Sequence, residues 1–347
     1  MKHIHPSSEI RHQVQTALSD IPWPSVDAET PSSLLARCPV AQQTPLVRSD
    51  HLATQAAVAD VYVKDERGRM GLGSFKALGA AYVIAYDAEH AKTKGQTYVT
   101  ASAGNHGLSV AAGAAAFGAK SVIFLAETVP ESFADRLRGI GADVRREGRI
   151  YEQAMQAAAE AAQAQGWTLL SDSSWPGYIA RPHRLMEGYL VLLREAAGQM
   201  QTAPTHIFLQ AGVGGLAAST AALAREIWGA GPIITVVEPE YAPALFASMA
   251  AGAPQVTTGP PSEMGRLDCK EPSLIALKGL ARDADFFMLV TEDEGESGSS
   301  ASAEAGLPST PSGAAGIAGL LVAAQDPATF GLTKESRVLV ILSEASA

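Results

Sequence analysis

Short apolar runs alternate with longer, Ala-rich segments along most of this 347-residue chain. Runs of four to six apolar or β-branched residues, bounded by polar or glycine positions, read as strands. They are Asp60-Val61-Tyr62-Val63-Lys64, Thr97-Tyr98-Val99-Thr100, Ser121-Val122-Ile123-Phe124-Leu125, Thr168-Leu169-Leu170, His206-Ile207-Phe208-Leu209, Ile233-Ile234-Thr235-Val236-Val237 and Arg337-Val338-Leu339-Val340-Ile341-Leu342. Between them lie segments expected to be helical: from about Ser74, which suits a cap, then Ser109 to Phe117, Pro130 to Ile140 ending at Gly141, Tyr151 to Gln165, Arg184 to Ala197, and from about Ala217. Strand–helix alternation implies an α/β fold with parallel sheets joined by right-handed crossovers. Two stretches break the pattern. The first, through about Ser49, is rich in Pro, Ser and Gln and reads as irregular with short helices. Glu292 to Pro311 has one large apolar residue, Leu307, and reads as an exposed or mobile loop.

Length permits a large core in two lobes. The hydrophobic share is 47 % with 32 glycines, which suits close packing of helices on a parallel sheet. A formal net charge of −10 and the lack of a dense basic run argue against a nucleic-acid partner. The segment Met1-Lys2-His3-Ile4-His5-Pro6 lacks an apolar signal core, and no uninterrupted apolar run has membrane-spanning length. Cys38 and Cys269 are far apart and offer neither a disulfide framework nor zinc-ligand spacing. Together these features suggest a cytoplasmic setting without a membrane partner or a bound metal.

Chemistry could reside in five places. Lys76 is a single amine in Gly71-Leu72-Gly73-Ser74-Phe75-Lys76-Ala77-Leu78-Gly79-Ala80, with little opposite charge nearby in sequence. Partial desolvation there would disfavour its ammonium and free an imine-forming nucleophile; a surface Lys at a helix start fits equally. Gln210-Ala211-Gly212-Val213-Gly214-Gly215-Leu216 follows a strand and precedes a helix. Its glycines would let backbone N–H groups converge on an anion, or form a tight turn. No Gly-Lys-Ser/Thr follows, which excludes a nucleotide-hydrolase loop. Glu238, after the next strand, sits where a ribose-binding acid would, so a dinucleotide-binding oxidoreductase stays open. In Ala101-Ser102-Ala103-Gly104-Asn105-His106-Gly107, open backbone donors, a hydroxyl and an amide could clamp a carboxylate and a phenolic oxygen. His106 suits either a general base or a structural role at a helix start. Asp172, before Ser173-Ser174-Trp175-Pro176-Gly177-Tyr178, suits a general acid–base or a capping turn. Ser343 ends the last strand, on the side where α/β sheets bind ligands.

In combination these segments resemble the fold-type II pyridoxal phosphate enzymes, the tryptophan synthase β-like family. Thr44-Pro45-Leu46, Lys64-Asp65-Glu66 and Gly73-Ser74-Phe75-Lys76 look like that family's opening, and Ser102-Ala103-Gly104-Asn105-His106 is similar to the loop of serine and threonine dehydratases. The resemblance runs from about residue 44 to 344. Within the family, the Gln210–Gly214 segment, Asp172 to Tyr178 with Met186-Glu187-Gly188-Tyr189, and Met264-Gly265-Arg266-Leu267-Asp268-Cys269 before Glu271-Pro272-Ser273 look most like diaminopropionate ammonia-lyases.

The resemblance implies a two-lobed fold, with residues 1–94 and 173–347 forming a large cofactor-binding domain and 95–172 a small mobile one. It implies pyridoxal 5'-phosphate held covalently by Lys76. Its phosphate would rest on Gly212, Val213, Gly214, Gly215 and Leu216, its phenolic oxygen on Asn105 and its pyridine nitrogen on Ser343. Ser102, Ala103, Gly104 and His106 would take the substrate carboxylate, while Lys76 and Asp172 would move protons. The implied reaction is α,β-elimination on a small amino acid, 2,3-diaminopropionate to pyruvate and ammonia, by a homodimer. A serine/threonine or 3-hydroxyaspartate dehydratase, or a silent amino-acid binder, are the alternatives. Ammonia-lyases of this group usually carry Asp at the position of Ala103, as the base for the D-isomer; the acid at Asp172 is associated with the L-isomer. The segment Glu292–Thr310 looks plainer than the family's helix there, and no regulatory domain is expected after Ser343.

Overall fold

Val338 to Leu342 are all buried, because helices cover both faces of the strand they form. The computed structural model describes residues 2–90 and 93–346; Met1, Ala91, Lys92 and Ala347 lie outside the described residues, so those ends of the expected N-terminal segment and domains do too. In chain order the first elements are β1 (Lys2–Ile4), α1 (Ser8–Ala17), α2 (Glu29–Leu35), β2 (Leu46–Arg48), α3 (Asp50–Ala56) and β3 (Asp60–Asp65). A 3₁₀ turn (Glu66–Gly71) leads to α4 (Lys76–His90), then β4 (Thr97–Ala101), α5 (Asn105–Ala116), β5 (Lys120–Leu125), α6 (Glu131–Gly139), β6 (Asp143–Arg146), α7 (Tyr151–Gln165) and β7 (Thr168–Leu169). The remainder is α8 (Ala180–Gln199), β8 (His206–Gln210), α9 (Gly215–Trp228), β9 (Ile233–Pro239), α10 (Ala244–Ala251), α11 (Leu274–Asp283) and β10 (Phe286–Val290). It ends with α12 (Glu292–Glu304), α13 (Ala315–Ala323), α14 (Pro327–Phe330) and β11 (Arg337–Leu342).

Two sheets result. One has seven strands in the order β1-β10-β9-β8-β11-β3-β2; the other has four, β6-β5-β4-β7. All pairs in the smaller sheet and the inner pairs of the larger are parallel. The expected parallel core is present, and the edges add two antiparallel strands: β1 runs antiparallel to β10, and β2 to β3. Both edge strands come from the segment read as irregular. They have only three residues each, too few for a period-2 pattern to show.

Glu292–Pro311 is also corrected. Thr291 and Glu294 form a capping box, and α12 buries Gly295, Gly298, Ala301 and Ser302 on one face. A Cβ on Gly298 would come 2.6 Å from Ala318 Cβ, so α12 and α13 touch almost backbone to backbone. Helices that meet through Gly and Ala need no large apolar residue, which is why the stretch looked like a loop. The expected cap at Ser74 is nearly right: Lys76 N donates to Ser74 Oγ at 3.4 Å, and the helix starts at Lys76.

The parallel strands deliver their following loops to one edge. β3 leads through the 3₁₀ turn to Lys76, β8 leads to the glycine loop, and β11 leads to Ser343. Register holds them level, with Leu342 opposite Asp65. Helix α4 is then pinned closely on α8 at two glycines: a Cβ on Gly188 would lie 2.6 Å from Leu78 O, and one on Gly79 would lie 2.7 Å from Tyr189 Cε1. That contact places Tyr189 beneath the first turn of α4. A buried cluster anchors the preceding chain: Lys64 Nζ lies 2.7 Å from Glu195 Oε2, Arg69 pairs with Glu66 and Glu195, and Thr44 donates to Glu66 at 2.6 Å.

Candidate active site

Lys76 is the first residue of α4, and its amine meets Asp172 just beyond β7, with Nζ 2.5 Å from Oδ2. Phe75 and Tyr189 flank the amine, with ring centroids 5.3 and 5.9 Å from Nζ. Burial pulls the Lys76 ammonium down, but the Asp172 charge and hydrogen bond reverse this and hold it well above the usual lysine range. Burial pushes the Asp172 carboxyl up, yet the Lys76 charge and hydrogen bond hold it well below the usual carboxylate range. The expectation of a lone, easily neutralised amine is thus corrected. Its counter-charge lies 96 residues away in sequence and next to it in space.

The glycine loop crosses the cleft floor. Gly214 has φ +98° and caps α9, whose first turn has no side-chain cap. A Cβ there would meet Ala276 Cβ and Leu245 Cδ1 at 3.0 Å, and one on Gly212 would meet Cys269 Sγ at 3.0 Å. A Cβ on Gly215 would lie 3.6 Å from Tyr189 Cε2 and 4.0 Å from Asp172 O. The loop therefore lies beside the Lys76–Asp172 pair, and its uncapped helix end favours an anion. Burial, then the Asp172 charge, pushes the Cys269 thiol up to about 12, so it is no ready nucleophile.

The third wall is the loop before α5. Ser102 Oγ accepts from Gly104 N at 3.2 Å. Arg266 Nη1 donates to Ala103 O at 3.2 Å. Asn105 Nδ2 donates to Glu344 Oε2, and Thr310 Oγ1 donates to Glu344 Oε1 at 2.5 Å. Ser343 is buried, and its carbonyl accepts from Phe75 N at 3.2 Å, next to Lys76. His106 turns its side chain away: Nε2 donates to Leu170 O at 2.8 Å, which leaves Nδ1 buried without a partner among the described residues. Burial keeps this imidazole below its usual value, so it is neutral and does not serve as a surface base. Only its backbone lies on the loop.

Lys76 thus meets Asp172 beside the 212–216 loop, while Ser343 is tied to Phe75 next to Lys76 and Asn105 to Glu344 next to Ser343. Tyr189, Arg266 and Cys269 were seen in the sequence only as parts of family-like segments, and Glu344 was missed. Its adjacency to Ser343 was the one available signal. Glu238 is not at the cleft in the role of a ribose ligand. Both its oxygens accept from the first residues of α10, Leu245 N at 2.8 Å and Phe246 N at 2.7 Å, which removes the support for a dinucleotide site.

The donor set fits pyridoxal phosphate. An amine, an uncapped helix end for a phosphate, an amide and a buried serine lie on neighbouring segments, and the Tyr189 hydroxyl is buried without a partner among the described residues. The model of the family described as "Pyridoxal-phosphate dependent enzyme" matches residues 38–344. The chain is similar to a diaminopropionate ammonia-lyase of Salmonella typhimurium, 34 % identical over 261 residues, which are 67 % of this chain and 65 % of that protein. It is 31 % identical to the Escherichia coli diaminopropionate ammonia-lyase over 266 residues, 71 % of this chain and 67 % of that one. The matched region thus spans about two thirds of these relatives' length. The crystal structure of the Escherichia coli protein in complex with an aminoacrylate-PLP azomethine reaction intermediate superposes with a TM-score of 0.85 and 28 % identity, covering 92 % of this chain and 88 % of that one.

Proposed function

Because this chain belongs to the pyridoxal-phosphate dependent enzyme family, we propose that its cleft carries out α,β-elimination on 2,3-diaminopropionate, giving pyruvate and ammonia. The observation that carries this reading is the partly buried Lys76–Asp172 pair beside the glycine loop. When bound, pyridoxal phosphate supplies the electron sink that makes an amino acid's Cα–H bond breakable.

Lys76 holds the cofactor through its amine. The N–H groups of Gly212, Val213, Gly214, Gly215 and Leu216 hold the phosphate, Asn105 the phenolic oxygen and Ser343 the pyridine nitrogen. A neutral serine, in place of a carboxylate, leaves that nitrogen free of a forced proton. The substrate carboxylate docks on the backbone of Ser102, Ala103, Gly104 and His106, where Arg266 adds positive charge.

Asp172 carries the acid–base work on an L-substrate. Beside the Lys76 ammonium it is too weak a base. Once Nζ loses its charge, burial dominates and Asp172 becomes basic enough to take the α-proton at Oδ2. The same carboxyl pairs with the β-ammonium, or protonates the departing nitrogen. With Ala103 where a D-specific base would stand, the site favours the L-isomer.

We infer that residues 95–172 close over the substrate as a smaller domain on residues 1–94 and 173–347. The reading includes a cytoplasmic homodimer. Free Cys38 and Cys269 suit a reducing compartment, and among the described residues no helix is long and apolar enough to cross a membrane. Assays for pyruvate and ammonia with L- and D-diaminopropionate, serine, threonine and 3-hydroxyaspartate test the reading. Turnover fastest on L-diaminopropionate supports it, whereas a preference for a hydroxy amino acid makes the protein a dehydratase. Borohydride reduction followed by mass spectrometry checks that Lys76 carries the cofactor.

A further inference from the structure

Tyr189 is 1 % exposed, and its hydroxyl has no hydrogen-bond partner among the described residues. A buried hydroxyl without a partner is destabilising, so its presence calls for a cause. Its ring is closely held. Phe75 packs edge-on with centroids 4.9 Å apart, Gly79 admits the ring where a Cβ would be 2.7 Å from Cε1, and Cε2 faces Gly215 of the glycine loop. Lys76 Nζ lies 5.9 Å from the ring centroid. Burial drives the phenol well above its usual range, and the nearby Lys76 charge only partly offsets this, so Tyr189 keeps its proton at every pH of interest. It is a donor with a proton to give.

A lysine that captures and releases a carbonyl compound must be an uncharged amine at both moments. Asp172 stabilises only the ammonium, because a carboxylate offers acceptors and no donor. An uncharged amine has a lone pair that needs a donor, and Tyr189 has one unused.

We propose that Tyr189 is the positioning residue for the uncharged form of Lys76, its hydroxyl donating to Nζ whenever the ion pair with Asp172 is broken. This rests on the assignment of Lys76 as the cofactor lysine. Asp172 and Tyr189 then hold the same nitrogen in its two protonation states, which leaves Asp172 free for the substrate while the amine waits in place.

The test is Tyr189→Phe, which keeps the ring. In the cofactor-free full chain the variant melts at or above the wild-type temperature, because no hydrogen bond is lost. On mixing with pyridoxal phosphate, its capture rate, read from the absorbance band near about 410 nm, falls about tenfold or more. With substrate, kcat falls while KM changes less than about threefold, and the acid limb of the kcat profile moves up by about one pH unit, since the uncharged amine has lost its donor. A lower melting temperature without cofactor would show a structural partner for the hydroxyl and overturn the proposal. An unmoved pH limb with wild-type capture would overturn it equally. Wild-type protein reduced with borohydride separates the two levels: no adduct on Lys76 defeats the underlying assignment, while an adduct with unchanged Tyr189→Phe kinetics defeats only the role of Tyr189.

Discussion

Asp172 Oδ2 accepts a hydrogen bond from Lys76 Nζ at 2.5 Å, and the two charges depend on each other. Each partner keeps the other charged against burial. Asp172→Asn removes the counter-charge but leaves the burial. Elimination from L-diaminopropionate should fall by about 10²–10⁴. The Lys76 ammonium should weaken, so capture of pyridoxal phosphate at pH 7 should speed up. A stopped-flow measurement of the absorbance band checks the sign. Unchanged elimination would return Asp172 to a structural role.

Gly214→Ala tests the anion seat. With φ +98° and neighbours at 3.0 Å, alanine there is strained by about 1–3 kcal/mol and must displace the loop. Affinity for the cofactor, titrated by absorbance, should drop at least about tenfold.

Glu344 faces Asn105 Nδ2, Thr310 Oγ1 and Arg266 Nε, the last at 3.6 Å. Accepting one Nδ2 hydrogen fixes the Asn105 amide and leaves its second Nδ2 hydrogen to donate to the phenolic oxygen. Glu344→Gln offers a donor where an acceptor is required and should weaken cofactor binding several-fold. Glu344→Asp, which keeps the acceptor, should recover part of it. Equal losses in both variants would mean that charge or length, not amide orientation, matters.

Glu238 provides a pH signature away from the cleft. Burial pushes its carboxyl up to about 8, outweighing the two N–H donors of α10 that favour the charged form. A raised pKa means stability fully present below the unfolded value near 4.5 and lost as pH rises through about 8. Melting temperatures from pH 5 to 9 should fall more steeply for the wild type than for Glu238→Gln. Parallel curves would refute the assignment.

Ala103→Asp introduces a carboxylate on the loop before α5, at the position where the proposed reading expects a base for the D-isomer. Turnover of D-diaminopropionate should rise relative to the L-isomer. An unchanged ratio of kcat/KM values would place stereochemical control elsewhere.

The inner strands and the glycine loop were legible because their signals are local. Apolar runs mark buried parallel strands, and Gly212 to Gly215 after His206–Leu209 mark a strand-to-helix turn. Helix α12 was not legible, since its packing on α13 depends on small residues whose value appears only when two helices meet. The same holds for β1 and β2, three-residue strands recruited by edges that the sequence does not display.

By itself, then, the sequence determined the alternating strands and helices, the glycine loop, and the presence of Lys76, Asn105 and Ser343 at element ends. Local sterics and hydrophobic period act between near neighbours, so one chain suffices to read them. Only the tertiary structure decided that Lys76 is an ammonium paired with Asp172, that Glu344 orients Asn105, that His106 faces Leu170, and that the Tyr189 hydroxyl is left without a partner. Charge and hydrogen bonding depend on distance through space, and α4, α8 and the two sheets set those distances only once they have packed.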